Sequence, residues 1–129
     1  MILKQLNVML SELDSVYQSL LKANNVSDSE YIVMLYIQEL GEGCSQKDIA
    51  DNSLISKKTV NSTIKKFEKD GYIELVAAKY PHMKIFLTDK GREFFQNSIM
   101  PIIELENDVL ENMTENEFEF LATFYKIYI

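Results

Sequence analysis

The pattern of apolar and polar positions predicts helices over most of the chain, with one stretch typical of strands. Over residues 2–22, apolar side chains recur at alternating spacings of three and four, which predicts a long helix packed along another long helix. These positions are Leu3, Leu6, Leu10, Leu13, Tyr17 and Leu20. Ser27 with Glu30 forms a capping box, so we expect a second helix to begin there and to end near Gly41.

The stretch from Ser45 to Gly71 predicts two short helices that meet at a tight turn, which is a helix-turn-helix. Ser45 with Asp48 forms a capping box for the first helix, and Ser56 is placed to cap the second. Apolar positions of the second helix define one buried stripe, which consists of Val60, Ile64 and Phe67. The opposite side is rich in lysine, and its members are Lys58, Asn61, Ser62, Lys65, Lys66 and Lys69. Gly71 is expected to end this helix in a left-handed C-cap.

After Gly71 the pattern changes to two short β-prone runs. Residues 72–77 and 84–87 predict the strands of a hairpin, and Pro81 fits the turn between them rather than a strand interior. The tip of this hairpin is basic. A hairpin that follows a helix-turn-helix is a wing.

The last third of the chain returns to helical spacing. Thr88 is expected to cap a helix that runs to about residue 112, and Pro101 is expected to kink it because its ring clashes with the preceding turn. Thr114 with Glu117 forms another capping box, so a final helix should begin there. Its apolar positions include Phe118, Leu121, Tyr125 and Tyr128.

The distribution of charge changes the meaning of an acidic composition. The chain has a net charge of −7, but residues 45–92 hold ten Lys and Arg against six Asp and Glu, while the remainder holds three against fourteen. Such segregation favours a basic DNA-binding surface on an acidic scaffold. The alternative is a solvated lysine face without a partner. With no export signal, no long apolar run and one cysteine, we expect a cytoplasmic protein without disulfides.

These elements predict a mainly α fold with a small β-hairpin wing, a winged helix-turn-helix in the order α-α-α-α-β-β-α-α. We expect residues 1–129 to form one unit, with residues 28–87 as the DNA-binding lobe and residues 1–24 with 88–129 as a helical dimerisation lobe. The terminal helices carry more apolar surface than a small core can cover, which favours a two-fold dimer over a monomer with folded-back helices. The expected dimer contacts are Leu3, Leu6, Leu10, Leu13, Phe118, Leu121, Tyr125 and Tyr128.

Two segments, Leu54–Ile73 and Leu87–Gly91, resemble the recognition helix and the wing-to-helix junction of the MarR (multiple-antibiotic-resistance regulator) family of bacterial winged-helix repressors. The resemblance implies a homodimeric transcriptional regulator, a palindromic operator, and often a small-molecule site between the two lobes. Many members carry an Asp-x-Arg pair at the wing, whereas the only arginine here is Arg92. Lys79, His82 or Lys84 would have to substitute, as point charges without the planar fork of arginine.

We expect the second helix of the helix-turn-helix to enter the major groove, with its N-terminal half toward the base edges. The residues in that half are Ser56, Lys57, Lys58, Thr59, Asn61 and Ser62. Lys65 and Lys66, one turn further on, are better placed for phosphates. Ser45 and Gln46 could bind phosphate at the start of the preceding helix.

Other classes of function have weaker support. The lone His82 and the lone Cys44 form no catalytic or metal-binding constellation, so we expect no enzyme, metal or cofactor. Cys44 could make the regulator redox-responsive, although it is more typical of a small apolar filler. Tyr17, Tyr31 and Tyr36 could line an effector cavity or form ordinary core. A winged helix that binds another protein instead of DNA is the remaining alternative.

Overall fold

The computed structural model describes residues 2–79 and 83–128, apart from the side chains at positions 118, 121, 124, 125, 127 and 128. The dimer contacts predicted at Phe118, Leu121, Tyr125 and Tyr128, and the wing contact predicted at His82, therefore lie outside the described residues. The elements in chain order are α1 (Ile2–Ala23), α2 (Asp28–Leu40), α3 (Gln46–Asn52), α4 (Lys57–Lys69), β1 (Ile73–Ala77), β2 (Met83–Leu87), α5 (Asp89–Phe94), a π turn (Phe95–Ile99), α6 (Met100–Glu111) and α7 (Glu115–Tyr128). This order confirms the predicted mainly α fold with a wing.

The helix starts lie where the capping residues predicted them. Reciprocal capping boxes are formed by Ser27 with Glu30, Ser45 with Asp48, and Thr114 with Glu117. Ser56 and Thr88 accept the backbone N–H three residues later at the starts of α4 and α5. Each cap satisfies a backbone donor that the first helical turn leaves without an intrahelical partner.

The core lies between α2, α3, α4, the inner face of the wing and the start of the C-terminal helices. Val60, Ile64 and Phe67 of α4 are fully buried in it, which confirms the predicted stripe. Gly71 has φ +81°, a conformation that L side chains rarely adopt, and it turns the chain from α4 into the wing.

The wing is an antiparallel hairpin in which Ile73 pairs with Leu87 and Leu75 with Ile85. A third segment, not expected from the sequence, joins it at Cys44. The N–H of Ile85 donates to the carbonyl of Cys44, and the N–H of Gly43 donates to the carbonyl of Ile85, both at 2.8 Å. The wing is thereby tied to the loop that precedes α3.

Pro101 is accommodated by a change of helical pitch. The helix runs without a break from Asp89 to Glu111, but its turn before the proline is a π turn, in which the N–H of Met100 donates to the carbonyl of Phe95. The wider turn leaves room for a residue that has no N–H and a bulky ring. The sequence predicts a kink at Pro101, and the structure has a π turn directly before it.

The terminal helices leave much apolar surface in water within a single chain. Leu3, Leu10 and Leu13 of α1 are exposed, as are Leu105 and Val109 of α6. None of the described helices has the length and hydropathy needed to cross a bilayer.

Candidate nucleic-acid interface

Helix α4 presents one polar face to solvent because its opposite face is held in the core. Lys57, Lys58, Ser62, Lys65 and Lys69 are exposed on it, and Thr59 and Asn61 are half-buried at its margin. Two hydroxyls on this face have internal partners that restrict their orientation: Ser62 Oγ donates to the carbonyl of Lys58 at 3.0 Å, and Ser56 Oγ to Thr59 Oγ1 at 2.9 Å. The predicted base-reading residues thus lie together on one rigid element.

In the turn between α3 and α4, a polar side chain is buried and an apolar side chain is exposed. Ser53 is 6% exposed, whereas Leu54 is 94% exposed. The Ser53 N–H closes α3 onto the carbonyl of Ile49 at 2.8 Å. The sequence gives no local signal for this arrangement. The exposed apolar side chain of Leu54 lies one residue before Ile55 and two residues before Ser56, which caps α4.

Ser45 and Gln46 lie at the start of α3, as predicted. The Ser45 side chain is committed to its capping box with Asp48, and Gln46 is half-buried. Because of this capping box, Ser45 could bind an anion only by donating its hydroxyl hydrogen. Gln46 is the first residue of α3, so its backbone N–H lies at the start of the helix.

Lys66 differs from its neighbours on α4 because it is paired within the chain. Its Nζ lies 3.2 Å from Oε1 of Glu30, which belongs to the first turn of α2. The pair borders a surface notch of about 580 Å³ between the two helices. The notch is lined by Ser27, Ser29, Glu30, Lys58, Thr59, Ser62, Thr63 and Lys66.

On the wing, Lys79 and Lys84 are exposed and line a groove of about 700 Å³ between the hairpin and α3. The lone arginine is not part of the wing. Arg92 pairs with Glu42 at 2.5 Å and with Asp89 at 3.3 Å, so it joins α5 to the loop before α3. Among the described residues, lysines are therefore the only cations of the wing.

The two segments that carry the family resemblance contact each other in the structure. Thr88 Oγ1 donates to the carbonyl of Gly71 at 2.5 Å, and the N–H of Thr88 donates to the carbonyl of Tyr72 at 3.0 Å. Lys90 Nζ donates to the carbonyl of Asp70 at 2.7 Å and lies 5.3 Å from the centre of the Tyr72 ring. The end of the recognition helix is thus fixed to the start of α5.

Two of the three tyrosines proposed for an effector cavity lie together. The rings of Tyr17 and Tyr31 are 6.0 Å apart in an edge-to-face arrangement, and Tyr31 donates its hydroxyl to Glu106 Oε2 at 3.1 Å. Burial, reinforced by acidic neighbours, raises the pKa of both phenols, so both stay neutral at physiological pH. Tyr31 is itself part of the buried core, and Tyr17 and Tyr36 pack against that core.

A largely apolar groove of about 360 Å³ separates α1 from α6, with Tyr17 in its wall. Its lining residues are Leu13, Val16, Tyr17, Leu20, Leu105, Glu106, Val109 and Leu110. The groove is not evident from the sequence, because its two walls are more than 80 residues apart.

Cys44 is buried, and that burial, followed by the charge of Asp48, raises the pKa of its thiol. A buried thiol with a raised pKa is a poor nucleophile and a poor peroxide target. Within residues 2–79 and 83–128, no cluster of three or more His, Cys, Asp or Glu side chains could hold a metal ion.

Comparison with known proteins agrees with this geometry. Residues 24–80, from the turn after α1 to the wing, match the sequence model of the MarR family. The chain is 32% identical over 78 residues to the HTH-type transcriptional regulator TtmR of Methylorubrum extorquens, covering 59% of this chain and 40% of TtmR. It is 24% identical over 104 residues to the regulator BilQ of Clostridioides difficile, covering 79% of this chain and 70% of BilQ. The chain thus spans less than half the length of TtmR.

Solved structures share the fold along almost the whole chain. A MarR transcriptional regulator from Methanosarcina mazei superposes with a TM-score of 0.68 at 16% identity, over 97% of this chain and 87% of that one. The organohalide-sensing regulator RdhR in its 2,4-dichlorophenol-bound form gives 0.74 at 19% identity, over 98% and 79%. A variant of Staphylococcus aureus MepR bound to an oligodeoxyribonucleotide gives 0.61 at 17%, over 99% and 96%. In its matched helix-turn-helix and wing, and in this common fold, the chain is similar to helix-turn-helix transcriptional regulators of the MarR family.

Proposed function

We propose that this MarR-type regulator binds a palindromic DNA operator as a homodimer and represses transcription. The observation that carries the proposal is the single polar face of α4, whose other face is held in the core. This polar face holds Asn61 and four lysines that have no ion pair with any described residue. A rigid helix of this kind fits the major groove. Repression is the mode that the family resemblance favours, since a dimer on the operator blocks access to the same DNA.

In this proposal, residues in the first half of α4 contact the bases. Asn61 can pair bidentately with adenine, the lysines can reach guanine acceptors, and Thr59 can offer its methyl group to thymine. The base-reading set is Ser56, Lys57, Lys58, Thr59, Asn61 and Ser62. Lys65, Ser45 and Gln46 would contact phosphates, and Lys79, His82 and Lys84 of the wing would contact the backbone beside the major groove.

The lobes would have separate roles. Residues 28–87 would form the DNA-binding lobe, and residues 1–24 with 88–129 the dimerisation lobe. The exposed leucines of α1 support this division, because apolar surface of that extent is stabilised by a partner. A two-fold dimer would set its recognition helices about 34–36 Å apart, one turn of DNA.

Binding and base reading are tested by two substitutions on α4. Lys65→Glu should weaken binding to every sequence and make the salt dependence shallower by about one ion per protomer, because a phosphate contact is lost. Asn61→Ala should cost about 1–3 kcal/mol at one base pair and relax specificity there. Operator obtained by selection from random duplexes, followed by gel-shift titration over a range of salt concentrations, measures both.

Lys4→Glu is the charge-matched control, since Lys4 is exposed in the first turn of α1, outside the proposed DNA-binding lobe. It should bind operator like the wild type. If Lys65→Glu and Asn61→Ala both retain wild-type affinity and specificity, α4 is not the reading element. No salt-dependent retention of the wild type on any duplex would favour the protein-interaction alternative.

We also propose that a small apolar effector releases the operator by binding in the groove between α1 and α6. Its volume of about 360 Å³ is that of a small-molecule site, and its wall is aliphatic apart from Tyr17 and Glu106. RdhR, whose fold is similar, has been solved with 2,4-dichlorophenol, and a regulator of similar fold from Bordetella bronchiseptica is controlled by 6-hydroxynicotinic acid.

A further inference from the structure

The ion pair between Lys66 and Glu30 joins the recognition helix to the start of α2. The Glu30 side chain is 12% exposed, whereas that of Lys66 is 56% exposed. The carboxylate is therefore the fixed, poorly solvated partner, and the ammonium is the one that reaches toward solvent. The other lysines on the exposed face of α4 have no ion pair within the described residues.

Glu30 cannot easily release its partner, because its carboxylate is held in place. Oε1, the oxygen next to Lys66, also accepts the Ser27 N–H at 3.2 Å, and the Glu30 N–H donates to Ser27 Oγ at 3.1 Å. The capping box thus fixes the side chain at the helix start. If Lys66 turned away toward a phosphate, the Glu30 carboxylate would be left unpaired and poorly solvated. It would also face the negative charge of that phosphate, and both effects are unfavourable.

We propose that Glu30 sequesters Lys66 from the DNA backbone and so acts as an internal substitute for a phosphate. The inference rests on the proposed DNA-binding function and adds to it that α4 makes one phosphate contact fewer than its lysine count indicates. Because a phosphate contact carries no sequence information, the pair lowers binding to every duplex alike and leaves base reading to the other residues of α4. Glu30 therefore sets the affinity of α4 for DNA without touching it.

Glu30→Gln tests the proposal, since glutamine still serves a capping box but carries no charge to hold Lys66. On a random duplex, the plot of log K against log salt should become steeper by about 0.9 per protomer, and affinity at 0.1 M salt should rise by roughly tenfold for each protomer bound. Lys66→Gln should keep the wild-type slope, because its lysine made no phosphate contact. Glu68→Gln, an exposed glutamate on α4 without an ion pair in the described part of the chain, should also keep it.

The opposite pattern overturns the inference. If Lys66→Gln makes the slope shallower by about 0.9 and Glu30→Gln leaves it unchanged, Lys66 is a phosphate ligand that Glu30 only positions. Equal slopes in all four proteins would make the pair a purely structural contact. Should Glu30→Gln fail to fold in a thermal melt, Lys66→Gln still tests the proposal, since a shallower slope in that variant contradicts it. A wild type without any salt-dependent DNA binding contradicts the proposed function itself, and the inference falls with it.

Discussion

At Gly91, one added methyl group would collide with the backbone. A Cβ built there lies 1.9 Å from the carbonyl oxygen of Tyr72, which is itself fixed by the N–H of Thr88. The backbone of Gly91 is helical, so the glycine is required by close approach and not by conformational freedom. Its place in the short segment that resembles the MarR family thus has a steric cause.

Gly91→Ala should lower the free energy of unfolding by about 3 kcal/mol or more, because two hydrogen-bonded backbone segments must separate. Thermal unfolding at fixed protein concentration should show the midpoint falling by roughly 10 °C. Glu93→Ala, at an exposed position of the same helix, should change stability by no more than about 0.5 kcal/mol. A Gly91→Ala protein that melts with the wild type would contradict the packing at this junction.

At the scale of elements, the first turn of α2 interacts with three other helices. Asp28 interacts with Tyr17 of α1, Glu30 pairs with Lys66 of α4, and Tyr31 donates to Glu106 of α6. The groove between α1 and α6 and the exposed face of α4 are therefore connected through a single capped turn. If an effector occupies the groove as proposed, these contacts are where it could act on α4.

The groove is tested at the scale of its two helices, with 2,4-dichlorophenol as the probe. It should raise the melting temperature of the wild type and weaken operator binding. Val16→Gln should remove both effects, since binding would then bury an unpaired amide. Val8→Gln, exposed on the same helix but outside the groove, should retain them. An unchanged wild-type melt, or equal shifts in both variants, would rule the groove out as the site for this phenol.

For the whole molecule, the exposed apolar residues at the start of α1 argue for association. One chain leaves Leu3, Met9 and Leu10, which lie outside the groove between α1 and α6, exposed to water, and burying them against a second copy would be favourable. A second copy would cover these side chains by the same surface on both partners, as two-fold symmetry requires. It would also bring two basic recognition helices onto one duplex, which a single chain cannot do.

Sedimentation velocity at micromolar concentration should show the wild type at twice the chain mass. Leu10→Glu should weaken self-association by at least about a hundredfold, because each interface would bury an unpaired charge, and operator affinity should fall with it. Leu40→Glu is matched in exposure, since Leu40 is 39% exposed and Leu10 is 40% exposed. Because Leu40 lies at the end of α2, that variant should remain dimeric. A monomeric wild type would contradict the proposed assembly.

The sequence by itself determined the features that depend on neighbours within one or two helical turns. Capping boxes join residues three apart, so the starts of α2, α3 and α7 could be read directly, and the spacing of Val60, Ile64 and Phe67 set the buried side of α4. The lysine face followed from the same periodicity. The hairpin was predictable because its strands are separated only by a short turn.

Only the tertiary structure decided which of those groups meet across the chain. The lysine spacing on α4 could not show that Lys66 is paired with Glu30, because that contact depends on how α2 packs against α4. The role of Arg92 beside Glu42, 50 residues away, the close approach at Gly91 and the π turn before Pro101 are set in the same way by packing. Local periodicity assigns a side chain to a face, whereas its partner there depends on the arrangement of distant elements.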